Sequence, residues 1–84
     1  MPLKALQGKV LLYLRNGDHI RLKQSVDKLV NFAGEKGFSA EEIKKMLEEI
    51  FTTRRIIKGM IAATQHAREE IFLETVMELG VMEN

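Results

Sequence analysis

The sequence predicts an all-α fold, a small bundle of three or four helices in a single domain spanning residues 1–84. Apolar residues recur every three or four positions along most of the chain, which is typical of amphipathic helices. Glycines and capping residues separate these amphipathic segments, and the only proline is at position 2. The chain has no cysteine, so packing rather than disulfide bonds must hold the helices together.

A first helix is predicted over residues 3–15 and a second over residues 18–36. Between them, Asn16-Gly17 is suited to end one helix, and Asp18 is suited to cap the next. The same Asn16-Gly17 pair also favours a two-residue β-turn, so an N-terminal β-hairpin followed by helices is the alternative fold. The helical hairpin is preferred because residues 10–14 do not alternate and no third strand is available to support a β-hairpin.

Residues 37–43 contain the signals for the end of one helix and the start of the next. Gly37 can adopt the left-handed conformation that ends a helix, and Phe38 can then fold back over it. Ser39 and Glu42 have the spacing of a capping box, in which each side chain accepts a hydrogen bond from the other residue's backbone N–H. This pattern predicts two helices that meet at a tight corner.

The C-terminal half is predicted to form helices over residues 40–51 and 54–79, with Gly80 ending the last one. The apolar pattern is interrupted at residues 52–55, where a threonine could cap a new helix. Because no proline occurs between residues 40 and 79, a single continuous helix is the alternative.

Apolar side chains cover more than half of the circumference of the last predicted helix. A terminal helix in a small bundle needs only one buried stripe, so a second stripe indicates contact with another chain. The pattern therefore predicts a homodimer or a complex with a helical protein partner. The predicted interface residues are Arg54, Arg55, Ile57, Ile61, Phe72 and Val76, with the two arginines at its rim.

The formal net charge of +1 conceals an asymmetry between the two halves of the chain. Residues 1–36 carry seven Lys and Arg against three acids, whereas residues 37–84 carry six against nine. This distribution fits a basic face that meets an anionic partner. The preferred interpretation is that the two halves complement each other, within one protomer or across a dimer.

Residues 29–50 also resemble a helix-turn-helix motif, through the spacing of Ala33, Gly37, Phe38 and Ile43. A DNA-binding regulator is therefore the alternative function. The second helix of this motif would be rich in glutamate, which repels phosphates, and it has few side chains suited to reading base edges. The candidate nucleic-acid contacts are Lys44, Lys45, Arg54, Arg55 and Lys58.

Catalytic and metal-binding patterns are weak in this sequence. Its only serines are Ser25 and Ser39, and no histidine or acid is spaced to activate them. His66 with Glu69 is typical of an exposed polar helix face, because a metal site needs three or four ligands. We therefore expect a non-enzymatic, cytoplasmic protein without a cofactor or metal, which acts on a protein partner as a regulator, adaptor or chaperone. Neither a signal peptide nor a membrane segment is predicted.

Overall fold

The computed structural model describes residues 3–52 and 62–83, with side chains over residues 3–52 and 68–80. These ranges contain four helices and no strand, which confirms the all-α prediction and shows the β-hairpin alternative to be wrong. The helices are α1 Leu3–Asn16, α2 His19–Glu35, α3 Ala40–Phe51 and α4 Ala62–Glu83.

The α1–α2 corner uses Asn16-Gly17 as a helix end rather than as a β-turn. Gly17 has a φ of 71°, and the Asp18 N–H donates to the carbonyl of Tyr13 over 3.2 Å. The Asp18 side chain then accepts a hydrogen bond from the Arg21 N–H and caps α2. The helical alternative prevails because Val10 and its neighbours along one face of α1 are buried with a helical period.

The α2–α3 corner forms as the sequence predicts. Gly37 has a φ of 90°, its N–H donates to Gly34, and the Phe38 N–H donates to Ala33, which together make a Schellman end. The Ser39 hydroxyl accepts from the Glu42 N–H over 3.1 Å, and the Glu42 carboxylate accepts from the Ser39 N–H over 2.9 Å. The capping box is therefore complete.

The third helix ends at Phe51, with Thr52 as its C-cap, so residues 40–79 are not one continuous helix. The predicted start of the last helix at residue 54 lies outside the described residues. Its predicted end at Gly80 is wrong, because α4 continues to Glu83. Among the described glycines only Gly17 and Gly37 have positive φ, so Gly80 lacks the left-handed conformation of a helix stop.

Each of the four helices turns one face inward, and the core lies where these four faces meet. The first three helices contribute a regular apolar stripe each, and α4 closes the core with Ile71 and Leu79. Two hydroxyls are buried with them, and each donates to a carbonyl of its own helix, so neither is left unsatisfied. The buried residues are Leu6, Val10, Leu14, Leu22, Ser25, Val26, Leu29, Ala33, Ile43, Leu47, Phe51, Ile71, Thr75 and Leu79.

α4 packs mainly against α3 and α2, whereas α1 packs mainly against α2 and α3. Lys23 links α2 to α4, since its ammonium lies 3.2 Å from Asp27 and 3.4 Å from Glu78. Partial burial lowers the pKa of Lys23, but the hydrogen bonds and charges of these two acids outweigh burial and raise that pKa above its ordinary value. The link helps to fix which face of α4 points inward.

Alanine substitutions at two glycines of the α2–α3 corner should have opposite effects. A Cβ would meet no atom within 4 Å at either Gly34 or Gly37, so space does not distinguish them. Gly37→Ala places a side chain in the left-handed region and should lower the free energy of unfolding by about 1 kcal/mol. Gly34→Ala lies within α2 and should raise it by about 0.5 kcal/mol. Urea unfolding measures both, and equal effects would contradict this account of the corner.

The capping box should make stability depend on pH. Its hydrogen bond from the Ser39 N–H holds the pKa of Glu42 below the ordinary 4.5. A carboxylate with a lowered folded pKa stabilises the fold above its unfolded pKa, and that stabilisation is lost as the pH falls through the folded value. Glu42→Gln should therefore lower Tm at pH 7 and converge on the wild type in acid. The matched control Glu41→Gln leaves the box intact and should change Tm less. Parallel pH profiles for wild type and Glu42→Gln would contradict the assignment.

Candidate protein interaction surface

The inward side of α4 follows a clear helical period. Ile71, Thr75 and Leu79 recur every four residues and are buried. Arg68 and Phe72 lie beside them and are half-buried, as is Val76 one turn further on. This inward side attaches α4 to the rest of the bundle and leaves the opposite side of the helix to solvent.

The opposite side carries what we call the solvent-facing stripe: Leu73, Met77 and Gly80. Leu73 is two residues from both Ile71 and Thr75, a step of about 200° around an α-helix, so it points away from the core. The side chains of Leu73 and Met77 are correspondingly 59% and 71% exposed. Two large apolar side chains one turn apart, both facing water, form an apolar patch that a partner could cover.

The rim of the solvent-facing stripe is acidic. Glu69, Glu70 and Glu74 are exposed and lie within one turn of Leu73 or Met77. Over its length α4 carries five glutamates and a single cation, Arg68. An interacting surface that complements this stripe would therefore combine apolar side chains with lysine or arginine.

Arg68 is turned away from the solvent-facing stripe and holds α3 against α4. Its side chain is only 13% exposed, and its Nη1 donates a hydrogen bond to the carbonyl of Phe51 at the end of α3. A cation at this position also interacts favourably with the negative end of the α3 dipole. Nη2 lies 3.8 Å from a Glu69 carboxylate oxygen, whereas Nε is buried without a hydrogen-bond partner in the described part of the chain.

Arg68 lines an open cleft of about 280 Å³ at the α3–α4 junction. Two aromatic rings form part of its wall, and the rings of Phe51 and Phe72 lie 5.5 Å apart at an angle of 43°. The guanidinium is already engaged by a backbone carbonyl, so the contacts of this cleft explain how α4 is attached. Its other described lining residues are Thr52, Glu69 and Leu73.

Two of the predicted interface residues can be placed, and both face neighbouring helices. Phe72 packs against Phe51 of α3. Val76 is half-buried and lines a cleft with Ala40 and Lys44 at the start of α3. The remaining predicted interface residues, Arg54, Arg55, Ile57 and Ile61, lie outside the described residues.

Leu73 and Met77 are not among the interface residues predicted from the sequence, although their spacing could have identified them. They stand four residues apart, and each is two residues from members of the 71–75–79 series. The apolar pattern predicts a second stripe that contains Phe72 and Val76. Those two residues instead lie about 100° or less from the buried series, on its border with α3.

The candidate nucleic-acid contacts are only partly described. Lys45 is exposed on α3, while Lys44 is half-buried and lines the cleft beside Val76. Arg54, Arg55 and Lys58 lie outside the described residues. Four glutamates share α3 with the two lysines, so the helix carries a net negative charge. The described residues of α3 thus offer no observation that favours nucleic acid, and that function stays a prediction.

Within the described residues, no three acids or histidines are grouped closely enough to hold a metal ion. None of the described helices is long and apolar enough to cross a membrane. Comparison with known protein families, curated proteins and solved structures finds no match to this chain. The candidate function therefore depends on the geometry and charge of the described surface.

Proposed function

We propose that this chain is a small non-enzymatic interaction module that binds a helical segment of protein through the solvent-facing stripe of α4. One observation carries the proposal: Leu73 and Met77 are exposed on the side of α4 opposite its buried residues. The bundle has already buried the other side of the helix, and Leu73 reaches only the edge of the α3–α4 cleft, so the stripe is not part of the buried core. An apolar stripe without a role in the core is typical of a binding surface.

The spacing of the two apolar side chains indicates the shape of the partner. Residues four positions apart on a helix are the anchors by which helices recognise grooves and other helices. Fully burying one such side chain contributes about 1.5–3 kcal/mol, so two anchors support a modest and reversible interaction rather than an obligate one. That strength suits a regulator, an adaptor or a chaperone.

The acidic rim restricts the chemistry of the partner. Covering Leu73 and Met77 brings the partner within reach of Glu69, Glu70 and Glu74. A partner with acidic residues there would be repelled, and a partner with lysine or arginine would be attracted. We therefore expect an amphipathic helix with small or apolar residues at its centre and cations at its edges.

Substitution of Met77 by aspartate should abolish this interaction without unfolding the protein. The measurement is titration with a synthetic amphipathic helix of leucine, alanine and lysine, followed by calorimetry. Met77→Asp places a charge at the centre of the stripe, so binding should weaken at least about tenfold, a loss of about 1.4 kcal/mol. Helicity measured by circular dichroism should remain, because the Met77 side chain is 71% exposed.

Ile20→Asp is the matched control for Met77→Asp. Ile20 is 75% exposed on α2, so the substitution adds the same charge to an equally exposed apolar position elsewhere. It should leave the affinity unchanged within about twofold, whereas an equal gain in both variants would indicate binding driven by net charge alone, because each added carboxylate attracts the lysines of the probe. An equal loss in both variants would show that the effect is not specific to the stripe. Failure of the wild type to bind, or unaltered binding by Met77→Asp, would overturn the proposed site.

A further inference from the structure

The outer face of α1 has the opposite character to the solvent-facing stripe of α4. Ala5, Gly8 and Leu12 recur at helical spacing on the side of α1 away from its buried residues, and all three are exposed. Leu12 is 50% exposed. We call these three residues the α1 outer stripe. It is apolar at its centre, like the stripe of α4, but it includes two small side chains.

The charges that α1 itself places beside the α1 outer stripe are all positive, and one acid of a neighbouring helix, Glu49 of α3, lines a cleft with Gly8. Lys4, Lys9 and Arg15 are exposed on α1, and the helix contains no acid. The corresponding residues beside the solvent-facing stripe are glutamates. The two helices therefore provide surfaces of opposite charge, each with an apolar centre, on the same protein. Such complementary potentials steer association and fix the register of an interface.

The sizes of the central side chains also match when the two helices run parallel. In that arrangement Leu73 meets Ala5 and Gly80 meets Leu12, since the two residues on each helix are separated by seven positions. Met77 lies one residue, about 1.5 Å, away from the level of Gly8. Each large side chain then faces a small residue, which allows close packing between helices. An antiparallel arrangement would instead place Leu73 against Leu12 and leave Ala5 against Gly80.

We propose that the solvent-facing stripe of α4 binds the α1 outer stripe of a second copy of this chain. The inference rests on the proposed function and identifies its partner. A two-fold dimer with parallel α4 helices would bring Glu69, Glu70 and Glu74 of both copies together, and these acids would repel one another. An antiparallel two-fold dimer would separate them but would supply no lysine to either acidic rim. Pairing with α1 replaces that repulsion with attraction between glutamates and lysines.

The proposed contact joins two different surfaces, so it is heterologous. When two copies associate, one keeps a free α4 stripe and the other keeps a free α1 stripe. Since α1 and α4 each pack mainly on α2 and α3, the two stripes belong to helices that are not principal neighbours. Association should therefore proceed beyond a dimer, as a concentration-dependent series or a closed ring. Added salt should weaken it, because the rim charges are exposed and the Debye length falls from about 10 Å at 0.1 M to about 3 Å at 1 M.

Cysteine cross-linking tests this arrangement directly, because the natural chain has no cysteine. Gly8→Cys and Met77→Cys place one thiol at the centre of each stripe, and a Cβ at Gly8 meets nothing within 4 Å. The two variants are mixed in equal amounts and mildly oxidised. We expect the mixed disulfide dimer to form at least about tenfold faster than either homodimer, since specific docking raises the effective concentration of the paired thiols. A mixture of Ile20→Cys and Met77→Cys is the control and should remain slow.

Each other outcome overturns the inference, and each bears differently on the proposed function. Rapid cross-linking of Met77→Cys with itself would show a two-fold contact through α4, which refutes pairing with α1 but keeps α4 as the interaction surface. No preferential cross-link, together with a monomeric wild type in sedimentation, would remove the second copy as the partner. The calorimetric titration with the lysine-rich helix then decides the proposed function separately: binding retains it, and no binding refutes both.

Discussion

The left-handed turn at Gly37 is the constraint on which the rest of this structure depends. It ends α2 in a Schellman motif, and two residues later the Ser39–Glu42 capping box starts α3 in a new direction. Because the corner is only four residues long, α3 must pack back on α2 and α1. The surface that α2 and α3 form together is the surface on which α4 packs. Packing on this surface determines which side of α4 faces water.

Two electrostatic contacts help to fix the rotation of α4 about its own axis, relative to α2 and α3. Lys23 of α2 reaches Glu78 on one side, and Arg68 reaches the Phe51 carbonyl at the end of α3 on the other. The apolar contacts of Ile71 and Leu79 lie between them. With the helix held in this rotation, Met77 lies outside the described core, and Leu73 reaches only the edge of the α3–α4 cleft. The binding surface is thus a consequence of how the monomer packs, and its acidic rim then selects a cationic partner.

The fold could be predicted from sequence because its determinants are local. Three kinds of determinant act within a few residues: the glycines at the corners, the N-caps Asp18 and Ser39, and the apolar periods of α2 and α3. Local patterns are insufficient where tertiary contacts decide. Gly80 has the composition of a stop, but burial of Leu79 supports the helix there, and α4 continues to Glu83. The position of the predicted interface residues Phe72 and Val76 beside α3 depends on the rotation of α4, which no local pattern specifies.

Oxidation of Met77 by hydrogen peroxide, followed by mass spectrometry over a range of protein concentrations, tests the central claim most directly. In dilute protein the sulfur of Met77 should react faster than that of Met46, which is half-buried on α3. As the concentration rises, the rate at Met77 should fall, because association covers the solvent-facing stripe, while the oxidation rate of a short methionine peptide added as an internal standard stays constant. A Met77 that reacts more slowly than Met46 in dilute protein would show that the stripe is not exposed. A rate at Met77 that does not change with concentration would show that no second copy covers it.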